Sequence, residues 1–172
     1  MGILKKLFTN KKEKPADNTD QDGNAVKICF SFHSNILDEW TVETMWAETI
    51  DVGKGLYKLD NIPFYAPLVA SDDIVFAEYD ETEERLMYRH TVESSGNSTI
   101  HVVIMDKSVN KEPIREAFNQ LGCISEGLND GYFALEVPAT IDYKSIRAKL
   151  QELEDRGIIG FAESCLSYRH QY

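Results

Sequence analysis

The sequence predicts an α+β protein with a small β-barrel-like N-terminal half followed by a ferredoxin-like β-α-β-β-α-β half. Two windows of helical periodicity, residues 110–121 and 143–156, lie between short alternating strands within residues 98–167. Residues 26–97 instead hold short alternating segments separated by turn signals, with no helical window. These patterns predict a fold without predicting an activity, because the ferredoxin-like arrangement serves enzymes, carriers and interaction domains.

Each predicted helix has one apolar face. The first has apolar residues at helical spacing at Ile114, Ala117, Phe118 and Leu121. The second repeats this spacing with Tyr143, Ile146, Leu150 and Leu153. Asn110 can cap the first helix, and Gly122 and Gly157 follow the two helices as stop signals. We therefore expect both helices to cover the same face of a sheet and to leave their charged sides in water.

The strands beside these helices have one aliphatic face and one mixed face. Residues 99–105 and 132–137 both alternate in this way, and His101 lies on the mixed face. A mixed face must be solvated, covered by another part of the protein or used for binding. This face is therefore the first place where the sequence predicts a partner site.

The N-terminal half consists of short predicted strands. The first covers residues 26–33, and four more follow at residues 41–50, 55–59, 74–79 and 85–92. Short strands at close spacing are typical of a small barrel or a strongly bent antiparallel sheet. Residues 168–172 remain as a short tail.

Residues 1–25 form a separate basic and polar segment. Residues 1–14 hold five lysines and one glutamate, and residues 15–24 are mostly polar, so we expect disorder. The apolar residues Ile3, Leu4, Leu7 and Phe8 allow weak contact with an anionic membrane surface, with a solvated terminus as the alternative. No stretch approaches the ~20 apolar residues of a membrane span, and no signal peptide is evident.

Composition narrows the class of partner. The net charge is −11, and residues 15–172 alone carry −15, which argues against binding nucleic acid through its phosphates. A strongly acidic protein suits a basic protein partner. The predicted partner-binding residues are the acidic group Asp80, Glu81, Glu83 and Glu84. Three widely spaced cysteines form no disulfide framework, so we expect a protein of the reducing cytoplasm.

A loop between two histidine-bearing strands is the best candidate for chemistry. The candidate ligand-binding residues are Arg89, His90, Ser95, Asn97, Thr99 and His101. His90 shares a strand face with Leu86 and Tyr88, so we expect it to be partly buried. The sequence contains no known nucleophile, phosphate-loop or zinc motif, and predicts no catalytic residue, metal site or cofactor.

Four segments in order resemble one protein family. They are Met45-Trp46-Ala47-Glu48, residues 55–64 (GLYKLDNIPF), Asp73-Ile74-Val75 and residues 93–99 (ESSGNST). Together they resemble the bacterial domain-of-unknown-function family 4265, over about residues 40–166. The resemblance implies a bacterial cytoplasmic protein and no established activity. The chain departs from the family pattern at Asp72, where the family tends to have glycine, and at His101, where it often has arginine.

Three functional hypotheses follow. The first is a non-enzymatic protein-interaction module, whose sharpest form is a bacterial toxin-immunity protein that neutralises a basic partner. The second is a regulatory module that binds a small molecule or nucleotide through the mixed sheet face or residues 94–99. The third is a small enzyme centred on His90 and His101.

Overall fold

The computed structural model describes residues 24–34 and 38–172. The predictions for residues 1–25 therefore lie outside the described residues, apart from Asn24 and Ala25. The described part contains nine strands: β1 (Ala25–Ser34), β2 (Glu39–Asp51), β3 (Leu56–Leu59), β4 (Ile74–Asp80), β5 (Arg85–Glu93), β6 (Ser98–Ile104), β7 (Ile124–Asn129), β8 (Tyr132–Val137) and β9 (Ile159–Cys165). It also contains two α-helices, α1 (Lys111–Gln120) and α2 (Tyr143–Asp155), and two 3₁₀ turns, Val52–Lys54 and Tyr168–His170.

The first five strands form one sheet in the order β1-β2-β3-β4-β5. Strand β1 also pairs in parallel with β5, at Ile28 with Leu86 and Cys29 with Met87, and this pairing closes the sheet on itself. Its interior is filled by buried apolar residues: Ile28, Phe30, Met45, Ala47, Tyr57, Leu59, Ala66, Val69, Val75 and Ala77. The predicted β-rich N-terminal half is confirmed as a five-stranded sheet.

The other four strands form a second sheet in the order β7-β8-β6-β9, with every neighbouring pair antiparallel. Helix α1 connects β6 to β7, and helix α2 connects β8 to β9. The predicted α+β class is confirmed. No helix in the described part of the chain has both the length and the apolar character that crossing a membrane requires.

Both helices pack on the aliphatic face of the second sheet. They share one buried core, which includes Ile100, Val102, Ile114, Phe118, Phe133, Leu135, Ile146, Leu150 and Leu153. The Asn110 side chain accepts a hydrogen bond from Glu112 N at 2.9 Å, which confirms it as the cap of α1. Gly122 and Gly157 adopt positive φ angles of 93° and 70° just beyond the helix ends, a conformation that glycine tolerates best.

The mixed face of the second sheet is covered rather than open. Residues 60–73, here named the crossing segment, connect β3 to β4 and contact this face. The Thr99 hydroxyl donates to Val69 O at 3.2 Å, and the Ser71 hydroxyl donates to Glu136. Every residue of β8 is buried, including those on the mixed face. Of the three alternatives left by the sequence, the structure shows coverage by the N-terminal half.

Phe118→Ala is expected to lower the free energy of unfolding by about 3–5 kcal/mol, because it removes a fully buried ring from the shared core. Denaturant unfolding measures this loss. Leu121→Ala is the matched control, since that side chain at the end of the same helix is 41% exposed. A loss below about 1 kcal/mol for Phe118→Ala would show that the core is assigned wrongly.

Candidate functional site

Glu43 on β2 holds the crossing segment from the side of the first sheet. One carboxylate oxygen accepts from Phe64 N at 2.8 Å, and the other accepts from Tyr65 N and Ala66 N at 2.9 and 2.7 Å. Burial raises the pKa of Glu43, while these three hydrogen bonds oppose the rise. Successive backbone N–H groups of this kind form an anion-binding nest. The chain fills this nest with its own carboxylate.

His101 on β6 holds the same segment from the side of the second sheet. Its Nε2 lies 3.0 Å from Pro63 O, and because a carbonyl oxygen only accepts, Nε2 is the donor. The Tyr132 hydroxyl similarly donates to Phe64 O. Burial lowers the pKa of His101 to about 4, so its ring is neutral near pH 7. His101 therefore serves as a structural donor between the two sheets.

The loop predicted to bind a ligand forms a second joint between the sheets. The Asp73 carboxylate accepts from Ala70 N at 2.9 Å and from Ser95 N at 2.8 Å. Asn97 donates through its amide to Ser71 O at 3.3 Å and accepts from Ala139 N at 3.0 Å. The polar groups of Ser95, Asn97 and Thr99 are thus engaged in contacts within the protein.

His90 and Arg89 lie elsewhere, on the outer side of the first sheet. The prediction that His90 is partly buried is wrong, because the structure places it in an exposed position. Tyr88 pairs with Ala77 and His90 pairs with Phe76, so a β-bulge at Arg89 moves His90 to the outer side. Its ring centre lies 5.2 Å from that of Phe76. The structure therefore does not bring His90 together with His101.

The sequence patterns did not predict Glu43 as a joining residue. A signal for Glu43 was present, because it interrupts the inward-facing row of Thr41, Met45 and Ala47 on β2. A single carboxylate on an apolar strand face needs donors, but the sequence does not show which segment supplies them. Here the donors are backbone N–H groups 21 to 23 residues away.

A buried serine–histidine pair holds the C-terminal residues. Ser98 Oγ lies 2.7 Å from His170 Nδ1, and it accepts from Ser167 N at 2.8 Å. Burial lowers the pKa of His170, which favours a neutral ring. Ser98 and His170 are only 0% and 2% exposed, so substrate cannot reach them. The pair attaches the predicted tail to β6.

Two of the three thiols lie in surroundings that disfavour the thiolate form. The cysteines are free, and burial raises the pKa of Cys123 to about 12 and that of Cys165 to about 11, opposite to the shift of an activated thiol. Within residues 24–34 and 38–172, no three His, Cys, Asp or Glu side chains are arranged to hold a metal.

A surface cleft of about 660 Å³ lies at the start of α1 and contains none of the predicted ligand-binding residues. Its lining is Ile104, Lys107, Val109, Asn110, Lys111, Glu112, Asp130 and Gly131. The Lys111 ammonium group donates to Asn129 O, and the Asn110 side chain caps the helix. These two side chains are thus engaged in contacts within the protein.

The predicted acidic group forms the hairpin between β4 and β5. Asp80 Oδ1 accepts from Thr82 N at 2.9 Å and from Glu83 N at 3.2 Å, which fixes the turn. Arg89 braces the base of the hairpin with ion pairs to Glu78 at 3.1 Å and Asp80 at 3.6 Å. The other three acidic residues of the group, Glu81, Glu83 and Glu84, are exposed.

Glu43→Ala is expected to lower the free energy of unfolding by about 1–3 kcal/mol, because it removes the acceptor of three backbone N–H groups. Denaturant unfolding gives the value. Glu48→Ala on the exposed side of the same strand is the control and is expected to have a small effect. Equal effects of the two changes would mean that the nest does not stabilise the crossing segment.

The unmodified protein is expected to lose stability in mild acid, and His101→Gln is expected to make this loss smaller. As the pH falls below 6.5, the histidine of the unfolded chain takes up a proton before the folded one, whose pKa is about 4, so the folded state loses stability. The cost at pH 5 is on the order of 2 kcal/mol. Glutamine can donate to Pro63 O without titrating. The test is to measure the free energy of unfolding of the unmodified protein and of the variant at about pH 7.5 and about pH 5. An equal change with pH in the two proteins would contradict the prediction.

The comparisons with known proteins concern the fold and the family. A solved structure described as the novel crystal structure of a hypothetical protein from Neisseria gonorrhoeae is similar, with a TM-score of 0.72 and 21% identity over 83% of this chain and 95% of that chain. At this identity the likeness shows a shared fold only. No curated protein matches the chain.

The family resemblance found in the sequence also has a structural basis. Asn61 Oδ1 accepts from Trp46 N at 2.6 Å, so two of the four resembling segments bind each other, and Asp73 and Ser95 join the other two. Asp72 has a φ of 65°, a conformation for which the glycine of the family pattern is well suited. The model of the family described as a domain of unknown function, DUF4265, matches residues 43–161. The chain therefore belongs to the DUF4265 family.

Proposed function

We propose that this protein is a non-enzymatic interaction module that binds a basic protein partner, with bacterial toxin immunity as the sharpest form of the proposal. The observation that carries it is the braced acidic hairpin between β4 and β5. Its Glu81, Glu83 and Glu84 carboxylates are exposed. None of the ion pairs among the described residues involves these three side chains.

The hairpin suits recognition because its backbone is fixed before a partner arrives. Asp80 closes the turn, and Arg89 neutralises part of the charge at its base, so the negative charge is concentrated at the tip. Tyr79 lies beside it and is 59% exposed, which adds an aromatic contact. A preorganised acidic surface accelerates encounter with a basic protein through long-range attraction.

The environment of the candidate catalytic groups favours the same proposal over an enzyme. His101 donates to Pro63 O, Glu43 accepts three backbone N–H groups, and Ser98 is buried against His170. A general base needs a free lone pair within reach of substrate. His101 and Glu43 are committed to contacts that join the two sheets, and Ser98 is committed to its contact with the tail.

We also propose a fold class for each half of the protein and a cellular compartment. The order β6-α1-β7-β8-α2-β9 and the sheet order β7-β8-β6-β9 support a ferredoxin-like class for the second half. The pairing of β1 with β5 supports a barrel-like class for the first half. Three free cysteines support a reducing compartment, the cytoplasm.

Reversing the hairpin charge is expected to slow partner association by about tenfold or more, because steering depends on the summed field of the surface. The variant is Glu81→Lys, Glu83→Lys and Glu84→Lys together. The partner is first isolated from native lysate on the unmodified protein and identified by mass spectrometry, and association rates are then measured at increasing salt. The control reverses three exposed acidic residues on the helices by the same charge: Glu116, Glu154 and Asp155.

Two results would overturn the proposal. An association rate that is indifferent to salt and to the hairpin reversal would remove the role of the acidic surface. If a folded His90→Gln protein no longer protected cells against the toxic partner, this loss would indicate an enzymatic role for His90 instead. The proposal is supported if the helix control associates with the partner at the rate of the unmodified protein while the hairpin variant associates more slowly.

A further inference from the structure

The two edges of the second sheet are both covered by other parts of the chain. A strand at the end of a sheet presents backbone groups to which a foreign strand can pair. At the β9 edge, Leu68 of the crossing segment donates its N–H to Ser164 O at 3.0 Å. Leu68 holds a φ of 63° there, which is uncommon for a branched side chain. This edge is therefore partly paired by the chain itself.

The β7 edge is covered by two cationic side chains of α1. Arg115 Nη2 donates to Ser125 O at 2.8 Å, and the Lys111 ammonium group donates to Asn129 O. The two side chains are only 21% and 12% exposed, low values for cations in a small protein. They bind carbonyl groups on either side of Gly127.

Gly127 shows how closely these cations lie over the strand. A Cβ atom built at this residue would come within 3.0 Å of Arg115 Nη1 and 3.1 Å of Lys111 Nζ. A Cβ atom here would require the two side chains to shift by a few tenths of an ångström. Glycine at this point therefore allows the guanidinium and ammonium groups to lie against the strand.

The surface around this edge would otherwise favour strand addition. Ile124 and Leu128 on β7 are 52% and 42% exposed, so the strand presents apolar side chains as well as backbone groups. Exposed apolar edge strands are predicted sites of association between copies of a chain. Charged side chains placed over an edge are a recognised way of preventing it.

We propose that Lys111 and Arg115 act as an edge guard, which keeps β7 from pairing with the β7 strand of a second copy of this chain. The guard holds the edge carbonyl groups that such a strand would need. It also places two cationic side chains, which pair with Glu112 of the same helix at 3.9 and 3.0 Å, where the two copies would meet. The proposal does not rest on the acidic hairpin, which belongs to the other sheet.

The test removes the guard in the full chain. The variant Lys111→Ala with Arg115→Ala is expected to self-associate at least tenfold more tightly than the unmodified protein in sedimentation velocity experiments. Hydrogen exchange at Ser125 and Gly127, whose N–H groups share the edge side of β7 with Ser125 O, is expected to slow as the variant associates. Circular dichroism checks the fold. Arg115→Gln alone is a milder variant that keeps Lys111 and is expected to shift association in the same direction.

The matched control removes the same charge from α2. Lys149→Ala with Arg156→Ala breaks ion pairs to Glu152 on the helix surface and leaves β7 untouched. A rescue variant adds Ile124→Lys to the guard-free protein, which restores a charge on the edge and is expected to return it to the monomer. The proposal is overturned if the guard-free and control proteins associate equally, if neither associates, or if association leaves exchange in β7 unchanged.

Discussion

The structure depends on how the crossing segment satisfies its backbone hydrogen bonds. Residues 60–73 lie between two sheets and belong to no strand, so their N–H and C=O groups need other partners. Side chains supply them: Glu43 and Asp73 accept from backbone N–H groups, and His101, Thr99 and Tyr132 donate to backbone carbonyls. The segment is thereby bound to both sheets, which is why the mixed face of the second sheet is buried.

This use of carboxylates has an electrostatic consequence. Burial raises the pKa values of Glu43, Asp73 and Glu136, whereas burial lowers that of His101. The folded state therefore gains stability from protonation of the acids as the pH falls, while it loses stability through the histidine. The acids and the histidine, which bind the same segment, therefore have opposite effects on stability as the pH falls. In an open cleft, such polar side chains would be candidates for catalysis. Here they are buried and form structural hydrogen bonds.

The surface divides into two regions for which we propose different roles. The first sheet presents an acidic hairpin whose turn is fixed by Asp80, and this region carries the proposed partner contact. The second sheet has both edges covered, by Leu68 at β9 and by Lys111 and Arg115 at β7. Covered edges prevent unspecific strand pairing, whereas an exposed charged hairpin favours selective, salt-dependent encounter.

The sequence by itself determined the local features of this protein. Helical periodicity located α1 and α2, alternation located the strands, and Asn110, Gly122 and Gly157 marked the helix ends, because these signals depend on neighbours within a few residues. The bulge at Arg89, which exposes His90, and the joints made by Glu43 and His101 were decided only by tertiary structure. Their hydrogen-bond partners lie about twenty to forty residues away, and a bulge depends on pairing with another strand, so neither is encoded in local periodicity.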